Sequence, residues 1–486
     1  RRRIPSPIRS HRTGFSKASQ VLASALLREM PLSENLDQGS ARKLVVFSDS
    51  RQDAAKLASG MQRDHYQDMV RSLLFQNLDD YWQDLVAFLR VTCVSIPNSL
   101  TKLTSYPMLY EQVMKSDNTG QDAQRRDRFQ NSNLGLATEA LTWLLGVPSS
   151  NPEFRHKWEN LLSNFLSQAP LADLRNKVHD ELLKRGICPG GALPEVLAYF
   201  VNKTSKNWFQ CYNWNNLPSH AAPPEIVSLT NEQKRHIQVI NDQLFAEIMY
   251  GLFPHRARTV ESIGLGWVSA EWLGTPSTRE IEALQAIIRE LGIHRTYQYA
   301  EYLQPGTEQK LPGYVKNYIE KINEADPSLS LDPERIRDYL LGSCGIQSGN
   351  SLALDPNKLY LTKANDSAGH ICPQCNAFYL HPATGYCLLC SSGKSQSIMA
   401  KKLQPSTLPK DLEYYDYLIT KAGPAFRMNA EELTGQTDKG DRPTRQRWFQ
   451  DVFVKKKGEI PRVQGVDLLS VTTTMEAGVD IGSLLA

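Results

Sequence analysis

Four of the eight cysteines fall in two C-x-x-C pairs, Cys372-Pro-Gln-Cys375 and Cys387-Leu-Leu-Cys390, with eleven residues between them. Each pair turns tightly enough to present both sulfurs to one ion. Together they supply the four thiolates of a tetrahedral site, the donor set that zinc takes. A closed four-sulfur site keeps no open coordination position, so its role is structural. Two redox dithiols are the competing reading; that chemistry wants a βαβ unit beside one pair, and the flanking sequence shows none. His370 and His381 lie near enough to replace a sulfur, but four sulfurs suffice without them. The remaining cysteines, Cys93, Cys188, Cys211 and Cys344, stand singly and read as small buried hydrophobes. Reduced, metal-held thiols fit a cytoplasmic address.

A second kind of chemistry lies at the ends of two apolar runs. Lys43-Leu-Val-Val-Phe-Ser-Asp-Ser50 and Leu468-Leu-Ser-Val-Thr-Thr-Thr474 both close in small polar residues. Each has the form of a fully buried parallel strand that delivers polar groups at its carboxyl end. Open α/β sheets bind ligands beyond that end, so both polar loops lie at a binding edge if the two strands share a sheet. Hydroxyls with exposed amides hold phosphates of one strand without reading bases. Ser48, Arg51, Thr472 and Thr473 are the candidates, and Gly478 permits a tight turn after them. Ser48 fits equally well as a cap for the helix that follows it.

The elements that must position these groups follow from periodicity. Val21, Leu22, Ala25 and Leu26 mark a helix over 17–30, and Asp53–Gly60 starts another. Apolar residues at three-four spacing from Tyr66 to Leu89 predict an amphipathic helix. Ser277 and Glu280 form a capping box, and Asp332-Pro333 opens a further helix. Ala425–Asn429 is a strand candidate and Thr444–Val454 a helix. Residues 76–360 read as mostly helical, with little sign of a sheet of their own. Trp208, Phe209, Tyr212 and Trp214 suit either base stacking or a helical core with one exposed aromatic edge.

Composition excludes several classes. The chain has 486 residues, 41% apolar and 22% charged, a globular profile with no stretch approaching a membrane span. No secretory leader is expected. The net charge of +3 does not by itself point to nucleic acid, although residues 1–28 carry seven basic side chains and no acidic one, and Lys455, Lys456 and Lys457 form a second run. Such runs follow a phosphate backbone or are simply solvated.

Val471-Thr-Thr-Thr-Met-Glu-Ala-Gly-Val-Asp-Ile-Gly482 resembles motif V of superfamily 2 DEAD/DEAH-type helicases, and Lys43–Ala55 resembles motif IV. Glu431–Thr437, with Arg445 and Phe449, is similar to the stretch between them. The wording is nearest to large bacterial phage-defence helicases of the DISARM and Druantia type, which carry a zinc-associated C-terminal module. The resemblance covers residues 11–75 and 410–486. It implies an α/β RecA-like lobe, a parallel sheet discontinuous in sequence, interrupted by a large mostly helical insertion with a small zinc ribbon. The expected segments are 1–75 and 401–486 for the lobe, 76–360 for the insertion and 361–400 for the zinc-bearing part. The resemblance also implies an ATP-site contribution from Gly478 and Asp480, with ATP and Mg2+ in the complete enzyme. The implied partners are DNA, a first RecA-like lobe and another defence subunit, with no membrane.

The sequence holds no G-x-x-x-x-G-K-[ST] loop; before Gly393-Lys-Ser395 the position of the first glycine is Leu388. It holds no DEAD/DEAH tetrad and ends before an arginine-bearing motif VI. The chain alone is therefore expected not to hydrolyse ATP. The other readings are a zinc-stabilised nucleic-acid-binding or scaffold module without ATP coupling, and a motor acting on RNA.

Overall fold

Leu468–Thr472 forms a strand that is buried at every position, as a central parallel strand must be when both its faces are covered. The computed structural model that shows this describes residues 15–30, 42–48, 50–115, 120–148, 151–164, 168–218, 221–254, 258–300, 310–346, 352–364, 368–391, 399–407, 414–434, 437–438, 440–454 and 458–472. Their strands are β1 (Leu44–Ser48), β2 (Gln168–Pro170), β3 (Ala198–Val201), β4 (Thr204–Asn207), β5 (Gly266–Ala270), β6 (Leu359–Lys363), β7 (Ala368–Ile371), β8 (Phe378–Tyr379), β9 (Gln404–Thr407), β10 (Ala430–Leu433) and β11 (Leu468–Thr472). The chain divides into two compact units, one of Arg1–Ser72, Val178–Ile248 and Gly423–Ala486, the other of Leu73–Lys177 and Met249–Ala422.

In the first unit β1, β11 and β10 form a parallel sheet in that order. Alternation sends the two faces of the strands to two different cores. Leu44, Val46, Ala430 and Leu468 pack with Ala23 and Leu27 of helix α1 (Phe15–Glu29) and Leu57, Ala58 and Met61 of helix α2 (Arg51–Ser95). Val45, Leu433, Leu469 and Val471 pack on the other side with Trp448 and Phe449 of the helix Asp441–Phe449. Helices on both faces of a parallel sheet make this unit α/β. The strand β1 corrects the expectation of full burial: it borders the described sheet, and its Phe47 is 52% exposed.

Two further readings change. On α1 the covered face carries Gln20, Ala23, Ser24 and Leu27, while Leu22 and Leu26 are exposed. The cause is a buried polar chain: Gln20 donates to Ser24 Oγ (3.0 Å), Ser24 meets His65 Nδ1 (3.0 Å), and His65 Nε2 meets the Phe426 carbonyl (2.8 Å). On α2 only Asp80 and Gln83 are exposed between His65 and Cys93, so this helix is covered nearly all round rather than amphipathic. The strand placed at Ala425–Asn429 starts instead at Ala430. Arg427 makes a bidentate pair with the buried Asp467 (2.9 Å each), and the Asn429 amide donates to the same carboxylate (2.8 Å). That stretch is therefore held by a side chain, and its last carbonyl, that of Asn429, accepts from the Asp467 and Leu468 amides (2.9 and 3.1 Å) where the ladder begins.

The segment 178–248 belongs to the first unit. It closes over Gly186, whose φ is +70° and where a Cβ would lie 2.0 Å from the Arg462 carbonyl oxygen; both facts require glycine. Trp208, Cys211 and Tyr212 are buried here with Val196 and with Ile237 and Ile240 of the helix Asn231–Leu252, so the aromatic cluster is a largely helical core, to which Tyr199 of the β3–β4 hairpin adds.

The second unit is mostly helical, but it carries sheets of its own, against expectation. Short strands far apart in sequence give little periodicity to read. β2, β6 and β5 pair antiparallel in that order, as do β8, β7 and β9. The capping box is present, with Ser277 accepting from the Glu280 amide, and Asp332 caps the helix Pro333–Ser343. Among the described residues no helix is long and apolar enough to cross a membrane.

His65 supplies a pH test. Burial lowers its pKa below the usual 6.5, opposed by the Phe426 carbonyl and Asp68 and assisted by Arg28 and Lys17. The neutral ring, with Nδ1 accepting from Ser24 and Nε2–H donating, satisfies both nitrogens. Below about pH 6.5 the unfolded chain takes a proton that the native ring refuses, so stability falls with falling pH, by at most about 1.4 kcal/mol per pH unit for one group. Urea denaturation from pH 7.5 to 5.5 is expected to show this slope, and His65→Gln to flatten it; an unchanged slope contradicts the assignment.

Candidate nucleic-acid interface and sulfur cluster

The carboxyl edge of the parallel sheet is a row of hydroxyls. Register pairs Ser48 of β1 with Thr472 of β11, and Thr434 follows directly after the Leu433–Val471 pair. Ser48 is half-buried and donates to the Ser50 carbonyl (3.1 Å). Thr472 is enclosed, at 2% exposure. Thr434 is buried, donates to Glu432 Oε1 (2.6 Å), and its amide donates to Thr437 Oγ1 (2.9 Å). Arg442 Nε donates to the Thr437 carbonyl (2.9 Å), and Arg445 bridges the Glu432 carbonyl and the Glu431 carboxylate (3.2 Å). Burial raises the pKa of Glu431, which Arg445 partly offsets.

The cap of α2 is Ser50, not Ser48. Ser50 Oγ accepts from the Asp53 amide (3.1 Å) and donates to Asp53 Oδ2 (2.6 Å), a side-chain cap that satisfies an orphan amide of the first turn. This removes the capping alternative for Ser48. Thr434 and Ser50 were both missed as members of this edge. Thr434 follows a strand as Ser48 and Thr472 end theirs, and Ser50 stands three residues before an acid, so each had a readable signal. Thr473, Gly478 and Asp480 lie outside the described residues, as do the Arg51 side chain and Lys455, Lys456 and Lys457.

In the second unit the sulfurs of Cys372, Cys375, Cys387 and Cys390 all lie within 4.8 Å of one another. Cys372 and Cys390 are 3.8 Å apart, Cys375 and Cys387 3.6 Å. Four sulfurs at about 2.3 Å from a tetrahedral zinc ion stand about 3.8 Å apart, so the donor set fits that metal. The first knuckle is closed by the Cys372 amide donating to the Ala377 carbonyl (3.0 Å) and the Asn376 amide donating to the Cys372 carbonyl (2.9 Å), with Asn376 at φ 58°. The second opens the short helix Leu388–Ser391. The Cys375 sulfur and burial push the Cys387 thiol well up; burial and the Cys387 and Cys372 sulfurs push Cys390 up to about 12. A bound ion displaces those protons, which ties its affinity to pH.

A buried network stands behind the cluster. Tyr379 OH contacts Cys387 Sγ (3.5 Å), and Arg289 lies over the Tyr379 ring at 4.3 Å. Arg289 also pairs with Glu261 (3.0 Å) and donates to the Phe378 carbonyl (2.7 Å). Glu261 accepts from the Leu380 amide (2.9 Å) and stands 3.2 Å from His381 Nε2. Thus His381 faces Glu261 and not the sulfurs. Tyr318 holds the intervening turn through Thr384 Oγ1 (2.8 Å), where Ala383 and Thr384 have φ of 48° and 60°.

No protein-family model, curated protein sequence or solved structure matches the chain.

The network behind the sulfurs predicts a large effect from one truncation. Arg289→Ala leaves the Glu261 carboxylate buried without its guanidinium partner. The expected cost is about 3–5 kcal/mol in urea denaturation. A loss below about 1 kcal/mol, the range of exposed pairs, contradicts it.

Proposed function

We propose that this chain is the second motor lobe of an ATP-dependent DNA helicase or translocase. In this reading its RecA-like sheet grips one strand by the phosphates and completes an ATP site on a first lobe. The observation that carries the reading is the Ser48–Thr472 register. Two segments that resemble motifs IV and V stand more than 400 residues apart in sequence, yet they end side by side at the carboxyl edge of one parallel sheet. A chance likeness in either segment carries no such requirement.

The residues then divide the work. Ser48 and Arg51 hold phosphates, Thr472 and Thr473 shape the adjoining strand end, and Gly478 and Asp480 face the nucleotide. The first lobe supplies the phosphate-binding loop and the magnesium ligands that this sequence lacks. The four-cysteine cluster is a structural zinc ribbon, because sulfurs at these spacings leave no position for substrate.

Fluorescence anisotropy with a short labelled DNA single strand tests the grip. Binding is expected to weaken with salt. Arg51→Ala is expected to lower the slope of log K against log salt by about 1, and Ser48→Ala to weaken binding severalfold. Binding that ignores salt and both substitutions overturns the reading. In protein that also carries the ATP-binding lobe, Asp480→Ala is expected to abolish ATP-driven unwinding while DNA binding persists. Strand binding indifferent to ATP there favours the zinc-stabilised binding module, and tighter binding to RNA of the same sequence favours an RNA motor.

Metal analysis of chain purified without chelator is expected to give one zinc per chain. Cobalt substitution should give the intense visible absorption of tetrahedral sulfur ligation, and Cys372→Ser with Cys375→Ser should remove both signals. A metal-free, stably folded wild type overturns the site.

A further inference from the structure

The second unit carries a half-open cavity of about 520 Å³, within the range of small-molecule sites. Its floor is the β2–β6–β5 sheet. The register sets Pro170, Tyr360 and Ser269 in one row and Gln168, Thr362 and Trp267 in the next. Alternation turns Ala169, Leu361 and Val268 to the opposite face, where they are buried. Ile281 and Gln285 from the helix Thr278–Ile293 close one side of the cavity, and Lys157 and Leu161 from the helix Pro152–Asn164 close another.

We infer that this cavity is a binding site for a nucleotide, with its base stacked among Tyr81, Trp267, Trp272 and Tyr360. Four aromatic side chains around one space favour a flat, polarisable ligand. The polar groups among them supply both senses of hydrogen bond: the amides of Gln168 and Gln285 donate and accept, and Glu271 accepts. Glu271 is set in place by the Tyr360 hydroxyl, which donates to its Oε2 (3.1 Å). Burial and the Glu271 charge keep that hydroxyl protonated. An aliphatic ligand has no use for this edge, whereas a nitrogen heterocycle does.

One further observation narrows the class. Lys157 brings a positive charge to the same wall, held over the Phe154 ring at 5.2 Å. A cationic ligand, which an aromatic cage with one carboxylate otherwise attracts, meets that ammonium unfavourably; a phosphate meets it favourably. The same chemistry arrives either as a free mononucleotide or as one residue of a single strand. The inference does not depend on the motor reading, since every group it uses lies in the second unit.

Isothermal titration of the full chain with AMP, GMP, CMP and UMP, and with a short DNA single strand, tests it. At least one of these probes is expected to bind with a stoichiometry of one, and Trp267→Leu to weaken that binding at least tenfold. Because Trp267 is part of a strand, Glu271→Gln and Gln285→Ala are run beside it; each is expected to weaken binding severalfold with unchanged circular dichroism. A mononucleotide displaced by the oligonucleotide marks a base of the polymer as a ligand, and a mononucleotide that is not displaced marks the free molecule. Should the mononucleotides fail, oligonucleotide binding weakened by the three cavity substitutions still marks a base of the polymer. No binding by any probe, or binding that none of the three substitutions moves, overturns the inference. Arg51→Ala is expected to leave mononucleotide binding unchanged, so failure of this site and failure of the phosphate grip are read separately.

Discussion

The parallel pairing of β1 with β11 is the constraint on which the first unit depends. It joins Leu44 to Leu468 and Ser48 to Thr472, and without it neither core has two walls. Its entropic cost is smaller than the sequence separation suggests. Closing a loop costs about 0.6 kcal/mol for each doubling of length, so a connection of some 400 residues costs about 2.4 kcal/mol more than one of ~25. A connection that folds on itself costs less still. Against this stand two apolar faces and anchors at the strand starts. Lys43 pairs with Asp451 (2.8 Å) and donates to the Val466 carbonyl (2.8 Å), and the Asp467 carboxylate, held by Arg427, fixes the entry to β10. A slip of one residue turns every apolar side chain to the wrong core, so this register is strongly specified.

How much of this was legible follows from what each signal measures. The two C-x-x-C pairs were read as one sulfur cluster because the chemistry of four thiolates at that spacing leaves few alternatives, and the four sulfurs do meet. The strand ends at Ser48 and Thr472 were legible as apolar runs closing in hydroxyls. What failed was any reading that equated apolar with buried. Leu22 and Leu26 suggested the covered face of α1, but the hydrogen bond between Ser24 and His65 turned the helix the other way. Buried polar chains of this kind override periodicity, and no local pattern announces them. The β2–β6–β5 sheet was unreadable for a different reason: Gln168–Pro170 is three residues long and pairs with a strand almost two hundred residues later.

The sulfur cluster illustrates how charge is arranged behind a site of this kind. Glu261 and Arg289 are each about 4% exposed, and the cost of burying them is met only where both find further partners. They do: the Leu380 amide, the Phe378 carbonyl, His381 and the Tyr379 ring. Most of these belong to the turn that leads from the first knuckle to the second. The network therefore fixes the one segment whose placement decides whether four sulfurs converge, with Tyr318 holding the strained Ala383–Thr384 corner of the same segment.

The hydroxyl row separates two roles that the sequence merged. Ser48 and Thr472 were grouped because both end apolar strands in small polar residues. Yet Thr472 is enclosed at the centre of the sheet, while Ser48 stands half-open on its border. A side chain at 2% exposure reaches no strand of nucleic acid without moving the sheet. In the proposed grip Thr472 serves through position, by fixing where the backbone emerges from β11. Ser48 serves there through contact, since the capping of α2 falls to Ser50 and the Ser48 hydroxyl donates to the Ser50 carbonyl. The difference follows from sheet topology alone: a central strand supplies geometry, and a border strand supplies groups.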